Sequence, residues 1–315
     1  MFLRARNVES NYSRMDRGNV VIAGGSGFLG RALAGALREA GYRVTVLSRR
    51  PRLDGDVPWP DDQTLHSRNP VDGASAVVNL AGTSIASGRW SASRKNAIRE
   101  SRLTPTRTLV RAIAAARVKP SVLLSASAIG YYGLRDDTPL GEDAPRGDDF
   151  LARVCGDWEA EAQAATAATR VVLLRTGLVL ARNGGALPML ALPFALLMGG
   201  RAGSGRQYVS WIHRDDWVAM VVWAMTTPVS GPLNLTAPEP VTNAVFARTL
   251  GKALHRPAWM PTPGSALRLV LGEMADALIL GGQRVVPRTA LASGFRFTYP
   301  TLESALIDLY RPAGT

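Results

Sequence analysis

The run VVIAGGSGFLGRALAGAL, residues 20–37, constrains the fold of this chain more than any other stretch. Apolar residues lead into Gly24, Gly25, Gly27 and Gly30, and these lead into an Ala/Leu-rich pattern of helical period. The pattern predicts a strand, a tight turn and a helix: the first glycines allow the turn, Gly27 lets the backbone approach a diphosphate, and Gly30 lets helix and strand pack closely. The amides that open a helix lack intrahelical acceptors and lie at the positive end of its dipole. Gly24, Gly25, Ser26, Gly27, Phe28, Leu29 and Gly30 are therefore candidate cofactor-binding residues. The competing reading is a glycine turn that holds nothing.

Strand-like runs at 19–23, 43–48, 76–81, 121–126 and 171–175 alternate with helical patterns at 28–40, 91–116 and 150–167. This alternation predicts an α/β fold, a Rossmann-type doubly wound parallel sheet with helices on both faces. VPWP adds a short strand. After residue 180, Pro- and Gly-rich connections separate shorter helices such as RDDWVAMVVWAM, TNAVFARTLGKAL and GSALRLVLGEMADAL. They read as a smaller C-terminal α+β substrate cap whose strands partly return to the sheet. The expected division is a disordered extension over 1–17, with Met15 as an alternative start, an NADP-binding Rossmann domain over 18–182 and the cap over 183–315.

The end of the second strand selects the dinucleotide. An NAD site places a carboxylate there to accept from the 2′-hydroxyl. This chain has Ser48, Arg49 and Arg50 instead, and a hydroxyl beside a guanidinium suits a 2′-phosphate. The expected cofactor is NADP(H); the alternative is a solvated arginine pair. At the third strand, Leu80, Ala81 and Gly82 are small or apolar enough for a ligand to approach the sheet end.

Composition excludes other classes. The net charge is +12, yet the arginines are scattered and there is no basic tail, so nucleic acid is not an expected partner. One cysteine, Cys155, and three dispersed histidines, His66, His213 and His255, argue against disulfides and metal, and fit a cytoplasmic location. The first seventeen residues have no apolar core, and ALPMLALPFALLM is short and interrupted by proline, so it predicts a buried or substrate-side helix and no membrane span.

With GGSGFLG, VVNLAG, ESR, SASAIGYYG, LLRTGLVL, GSGRQYVSWIHRDD, GPLNLTAP, FARTLGKALHRP and GGQRVVP in order, the chain resembles the atypical, epimerase-like extended short-chain dehydrogenase/reductases. The resemblance covers Val20 to about Leu309. It implies that Ser48 and Arg49 hold the adenosine phosphate end and that Leu80 and Ala81 line the cofactor. It places Arg102 where many members carry an asparagine, and Val179 on the nicotinamide side.

Most members of that superfamily use a Tyr-x-x-x-Lys pair on the helix after the fifth strand. One turn separates the two, and the ammonium lowers the phenol's pKa so that it moves a substrate proton. Here that helix reads FLARVCGDWEAEA, with Phe150 or Leu151 in place of tyrosine and Cys155 in place of lysine. Substitute groups must come from elsewhere. Ser127 matches the superfamily's substrate-facing hydroxyl when Tyr131 is aligned with its loop tyrosine, which makes Ser127 and Tyr131 the catalytic candidates. Each tyrosine of the loop, Tyr131 and Tyr132, has the competing reading of a buried aromatic with a satisfied hydroxyl. Cys155 reads as a core residue and Glu159 as a local partner. In the cap, Arg206 and His213, with Tyr132, are the candidate substrate-binding residues, Asp215 or Asp216 is the expected helix cap, and Gln283 and Arg284 close the same pocket or pack a turn.

These residues predict an NADP(H)-binding oxidoreductase or epimerase acting by hydride transfer on a small, anionic or sugar-like metabolite, with a homodimer as its assembly. The alternative is a catalytically silent NADP(H) sensor.

Overall fold

The computed structural model of the protein describes residues 17–48, 56–60 and 68–311. The readings placed on residues 1–16, on Arg49 and Arg50 and on His66 lie outside the described residues.

Seven strands form one sheet: β1 (Asn19–Ala23), β2 (Arg43–Ser48), β3 (Asp56–Pro58), β4 (Ala76–Asn79), β5 (Val122–Ala128), β6 (Arg170–Thr176) and β7 (Gly231–Leu235). Their order is β3-β2-β1-β4-β5-β6-β7, every neighbouring pair parallel. The chain winds outward in both directions from β1 and β4, and ligands of such sheets bind beyond the carboxyl ends of the strands at this switch point. The sheet is the expected doubly wound one, and β7 is a strand from beyond residue 180 that returns to it.

The helices are α1 (Phe28–Glu39), α2 (Ala92–Ala115), α3 (Phe150–Gln163), α4 (Leu187–Ala195), α5 (Arg214–Thr226), α6 (Asn243–Ala253), α7 (Gly264–Leu271) and α8 (Leu302–Tyr310), with shorter turns between. Strand alternation feeds two cores. Val20 and Ile22 of β1 pack with Leu33, Leu37, Trp217 and Val221 from α1 and α5. Val21 and Ala23 point the other way, to Leu109 and Ile113 of α2 and Ala162 of α3. Val20, Val21, Ile22 and Ala23 are completely buried, which is why this strand reads as an unbroken apolar run and not as an alternating one.

One local expectation needs correction, and a second holds for one face of its helix. GSALRLVLGEMADAL is not one helix: Gly272 takes a left-handed φ of +63° and ends α7, a conformation that costs glycine little. ALPMLALPFALLM is buried on one face only; Leu187 and Phe194 are in the core, whereas Met189 and Leu192 are 70% and 59% exposed.

Past the sheet, the strand Leu178–Leu180 pairs with Trp211–His213, and Arg284–Val285 pairs with Pro139–Leu140. The second pairing lays the GGQRVVP segment along the loop that leaves β5. No described helix is long and apolar enough to cross a membrane.

Candidate functional site

The glycine turn closes as its sequence requires. Gly24 has a φ of +76°, and a Cβ there would lie 2.7 Å from the Leu80 carbonyl oxygen at the end of β4. A Cβ on Gly30 would lie 2.4 Å from the Gly24 carbonyl oxygen, so α1 approaches the turn closely only because the side chain is missing. Gly27 is the N-cap of α1; no side chain caps this end, and its N–H donates to Gly24 O at 3.0 Å. The amides that follow, from Phe28 onward, open toward the strand ends without intrahelical acceptors. Such an uncapped helix start with a glycine floor fits the diphosphate of a dinucleotide. Ser26 is exposed, its carbonyl accepting from Arg31, while Phe28 and Leu29 pack against the sheet core. Ser48 ends β2 and is 8% exposed.

The end of β4 lies between β1 and β5. Leu80 continues the strand by donating to Ala23 O at 2.8 Å. Asn79 is fully buried and fastens this end: its Nδ2 donates to Thr106 Oγ1 at 2.8 Å and its Oδ1 accepts from Ala81 N at 3.2 Å. Arg102, on α2, lies beside Gly82; a Cβ on that glycine would touch the guanidinium at 3.5 Å. Its Nη1 donates to Ile98 O at 2.9 Å and its Nη2 to Thr83 O at 3.2 Å, and the group stands 5.3 Å over the Trp158 ring of α3. Burial lowers its pKa below the ordinary arginine value.

A buried polar network begins where β5 ends. Ser127 Oγ donates to Glu159 Oε1 at 2.6 Å. Glu159, on α3, is gripped by both arms of Arg175 of β6, with Nε and Nη2 each 2.9 Å from a carboxylate oxygen. Arg175 Nη1 also donates to Tyr132 Oη at 3.0 Å and to Glu142 O at 3.1 Å. Its guanidinium lies flat on Tyr131, 3.5 Å from the ring centroid. Asp149 starts α3 by accepting from Ala152 N at 2.9 Å, which aims Cys155 and Glu159 at the strand ends.

The structure thus separates the two loop tyrosines. Tyr132 is fully buried, donates to Asn234 Oδ1 at 2.7 Å, and burial pushes its phenol up to about 12. It is a core residue with a satisfied hydroxyl and offers no surface to a ligand. Tyr131 is half-buried, and its Oη makes no hydrogen bond among the described residues. Cys155 is a buried thiol held up at about 12 by burial and by the Glu159 carboxylate, which fits packing and not nucleophilic chemistry.

The cap residues do not join this cluster. His213 is 1% exposed and is itself the N-cap of α5, where Nδ1 accepts from Asp215 N at 3.1 Å and the ring packs 4.0 Å from that of Tyr299. The expected cap, Asp215 or Asp216, is displaced: Asp216 turns into the core and accepts from Thr298 N and Tyr299 N at 2.8 and 2.9 Å. Arg206 is an exposed loop residue bonded through its backbone to Ser204 Oγ at 3.3 Å. Arg284 does reach the loop beyond Tyr131, its Nη1 donating to Asp137 O at 3.3 Å, whereas Gln283 is buried and its carbonyl accepts from Ser210 Oγ at 2.7 Å. Val179 is buried in the short strand after β6. Sequence reasoning underrated Glu159 and passed over Arg175 and Asn79. A charged residue inside the apolar run LLRTGLVL was the available signal, since a lone buried cation demands a partner.

With this geometry in place, known proteins give a consistent comparison. Residues 20–236 match the NAD dependent epimerase/dehydratase family, and residues 262–309 match a domain of unknown function, DUF1731. The chain is 43% identical over 290 residues to the epimerase family protein ML0860 of Mycobacterium leprae, covering 91% of this chain and 94% of that protein. It is 40% identical over 299 residues to YfhF of Bacillus subtilis, covering 92% and 97%. The crystal structure of human epimerase family protein SDR39U1 (isoform 2) with NADPH superposes with a TM-score of 0.87 at 37% identity, covering 93% of this chain and 99% of that one.

Proposed function

The chain belongs to the NAD dependent epimerase/dehydratase family, and from that premise we propose that it binds NADP(H) and is an oxidoreductase or epimerase of a small polar metabolite. The observation that carries this reading is the uncapped start of α1 over the Gly24–Gly30 turn, closed so tightly that a Cβ on Gly24 or Gly30 would run into backbone. The human relative crystallised with NADPH supports the same cofactor.

Gly24 through Gly30 hold the diphosphate, Ser48 and Arg49 the adenosine end, and Leu80, Ala81, Gly82, Arg102 and Val179 the remainder. The cofactor, when bound, supplies hydride chemistry at its nicotinamide. The substrate's oxygen is the protein's task. Ser127 is 4% exposed and its proton is committed to Glu159, so its part in this reading is an acceptor lone pair at the end of β5. The uncommitted phenol of Tyr131 donates to the substrate oxygen when it is a carbonyl. Arg206 stays a candidate for an anionic group from the exposed rim of the cap; the buried His213 does not reach a ligand.

One observation favours the second reading, a silent NADP(H)-binding protein: α3, FLARVCGDWEAEAQ, carries neither a tyrosine nor a lysine. Titrating NADPH fluorescence while offering carbonyl metabolites separates the two. We expect tight NADPH binding, weaker NADH binding and NADPH oxidation that falls roughly 100-fold or more in Tyr131→Phe at unchanged affinity. Binding without turnover of any metabolite supports the silent protein, and no binding at millimolar NADPH defeats both.

A further inference from the structure

The exposed side of ALPMLALPFALLM has no part in the function proposed above. Met189 and Leu192 of α4, and after them Leu196, Leu197 and Met198, are each 48–70% exposed. Three apolar residues in a row facing outward are selected against unless they touch something. Leu197 has a φ of +60°, a left-handed conformation that is costly for a residue with a side chain. The turn is nonetheless well fastened. Phe194 is buried with its ring against Gly199 and Gly251, which fixes α4 to α6, and Trp259 Nε1 donates to Leu197 O at 3.2 Å. Met260 N donates to Gly199 O at 3.0 Å, so Trp259 and Met260, 68% and 41% exposed, extend the same apolar face.

A cleft of about 630 Å³ opens beside Trp259, lined by Arg248, Lys252, His255 and Arg256. Arg248 and Lys252 stand one turn apart on α6, and Arg256 follows at the same spacing past its end, a like-charge pattern that disfavours the helix. Among the described residues none of the three forms an ion pair. The charge is segregated along the chain as well. Residues 162–214 and 240–272 contain ten arginines and lysines and no aspartate or glutamate, so they carry ten of the twelve net positive charges. The partner of this face is therefore anionic. A second copy does not suit it, because a two-fold contact would set cations against cations. Leucine and methionine side chains with a tryptophan at their edge and arginine and lysine beside it make up a face that lies in a membrane interface without spanning it.

We propose that this face docks the protein on an anionic phospholipid surface: Arg248, Lys252 and Arg256 meet the lipid phosphates, and Leu196, Leu197, Met198 and the Trp259 ring enter the boundary between headgroups and acyl chains. The proposal does not rest on the NADP(H) reading. It explains why the apolar turn is held rigidly in the open beside unpaired cations, since the lipid supplies both the counter-charge and the apolar cover.

The test uses the full chain with vesicles of phosphatidylglycerol and phosphatidylcholine in about 0.1 M salt, where charges act over ~10 Å. The protein should sediment with the mixed vesicles and not with phosphatidylcholine alone. Lys252→Gln with Arg256→Gln should weaken binding roughly tenfold or more, at about fivefold for each cation near such a surface, and Leu196→Glu should also weaken it roughly tenfold. Arg38→Gln with Arg153→Gln removes equal charge elsewhere and should change binding by less than about threefold. Lipid brominated in its acyl chains should quench tryptophan emission, and Trp259→Phe should keep the binding and lose most of that quenching. Thermal melting checks that every variant is folded. Equal losses in the two double variants would mean that binding follows total charge, and would overturn the proposal. Displacement by inorganic phosphate at matched ionic strength would make the cleft a site for a free anion and overturn it too. So would a folded protein that ignores the vesicles, whether a second copy or an acidic protein segment then proves to cover the face.

Discussion

Glu159 shows how one residue can tie a fold to its site. Both oxygens are occupied by Arg175, one also by Ser127, and the ion pair is 5% and 4% exposed at its two side chains. Removing one partner of such a pair strands a buried charge. Glu159→Gln is therefore expected to cost roughly 3–5 kcal/mol in urea unfolding, against about 1–3 kcal/mol for Tyr132→Phe, which only leaves Asn234 and Arg175 short of a partner. Tyr131→Phe, whose hydroxyl bonds nothing among the described residues, should leave the unfolding midpoint in place. Equal losses for all three would mean that the network does not support the fold. Single residues were also the least legible part of the sequence. Tyr131 and Tyr132 are identical neighbours in SASAIGYYG, and only the path of the short helical turn Ile129–Tyr132 puts one in the core and leaves the other at the strand ends. Arg102 was ambiguous for the same reason: a long amphipathic side chain is read as surface unless one knows that Trp158 lies beneath it.

At the scale of elements the sequence was far more legible. β1 and β2 span the residues read from the sequence, 19–23 and 43–48, and β3 overlaps VPWP. β4 is two residues shorter than read: Leu80 N still bonds Ala23 O, and Ala81 N turns back to the Asn79 side chain. α3 ends at Gln163, earlier than the Ala/Thr-rich run suggested; Ala165, Thr166 and Ala168 turn tightly before β6. These misreadings share one cause: tertiary contacts end an element where local propensity would continue it. The cap of α5 is another such case, and it carries a pH signature. Burial pushes His213 below the ordinary imidazole value of 6.5, against the pull of Asp215, Asp308 and Asp216. Above that value both folded and unfolded chains carry it neutral, and it adds no slope. As pH falls through 6.5 the unfolded chain takes up the proton first, so stability declines until the lower folded pKa is passed. His213→Asn keeps a side-chain acceptor for the Asp215 amide and lacks this proton. On going from about pH 7.5 to about pH 5.5, its melting temperature should drop less than that of the unaltered protein. Parallel curves would show that His213 is not held neutral by the fold.

The whole molecule binds its two parts together at the phosphate turn. The division expected near residue 182 is bridged here: the ring of Phe28, in the first turn of α1, lies against Gly184 and Gly185 beyond that point. A Cβ on Gly184 would come within 2.4 Å of the ring, and one on Gly185, whose φ is +68°, within 3.2 Å. The turn after the Leu178–Leu180 strand therefore packs on the first turn of α1 through the Phe28 ring, which fits only because Gly184 and Gly185 carry no side chain. Gly184→Val must displace Phe28 and tilt the helix start away from the diphosphate. Overpacking of this kind costs about 1–3 kcal/mol, and the affinity for NADPH should fall roughly tenfold with it. Combining Gly184→Val with Phe28→Ala opens space for the new side chain, so the double variant should bind NADPH better than Gly184→Val alone, a coupling that only contacting residues produce. If the two losses simply add in calorimetric titration, this packing and the cradle are independent, and the segment beyond residue 182 has no part in holding the cofactor.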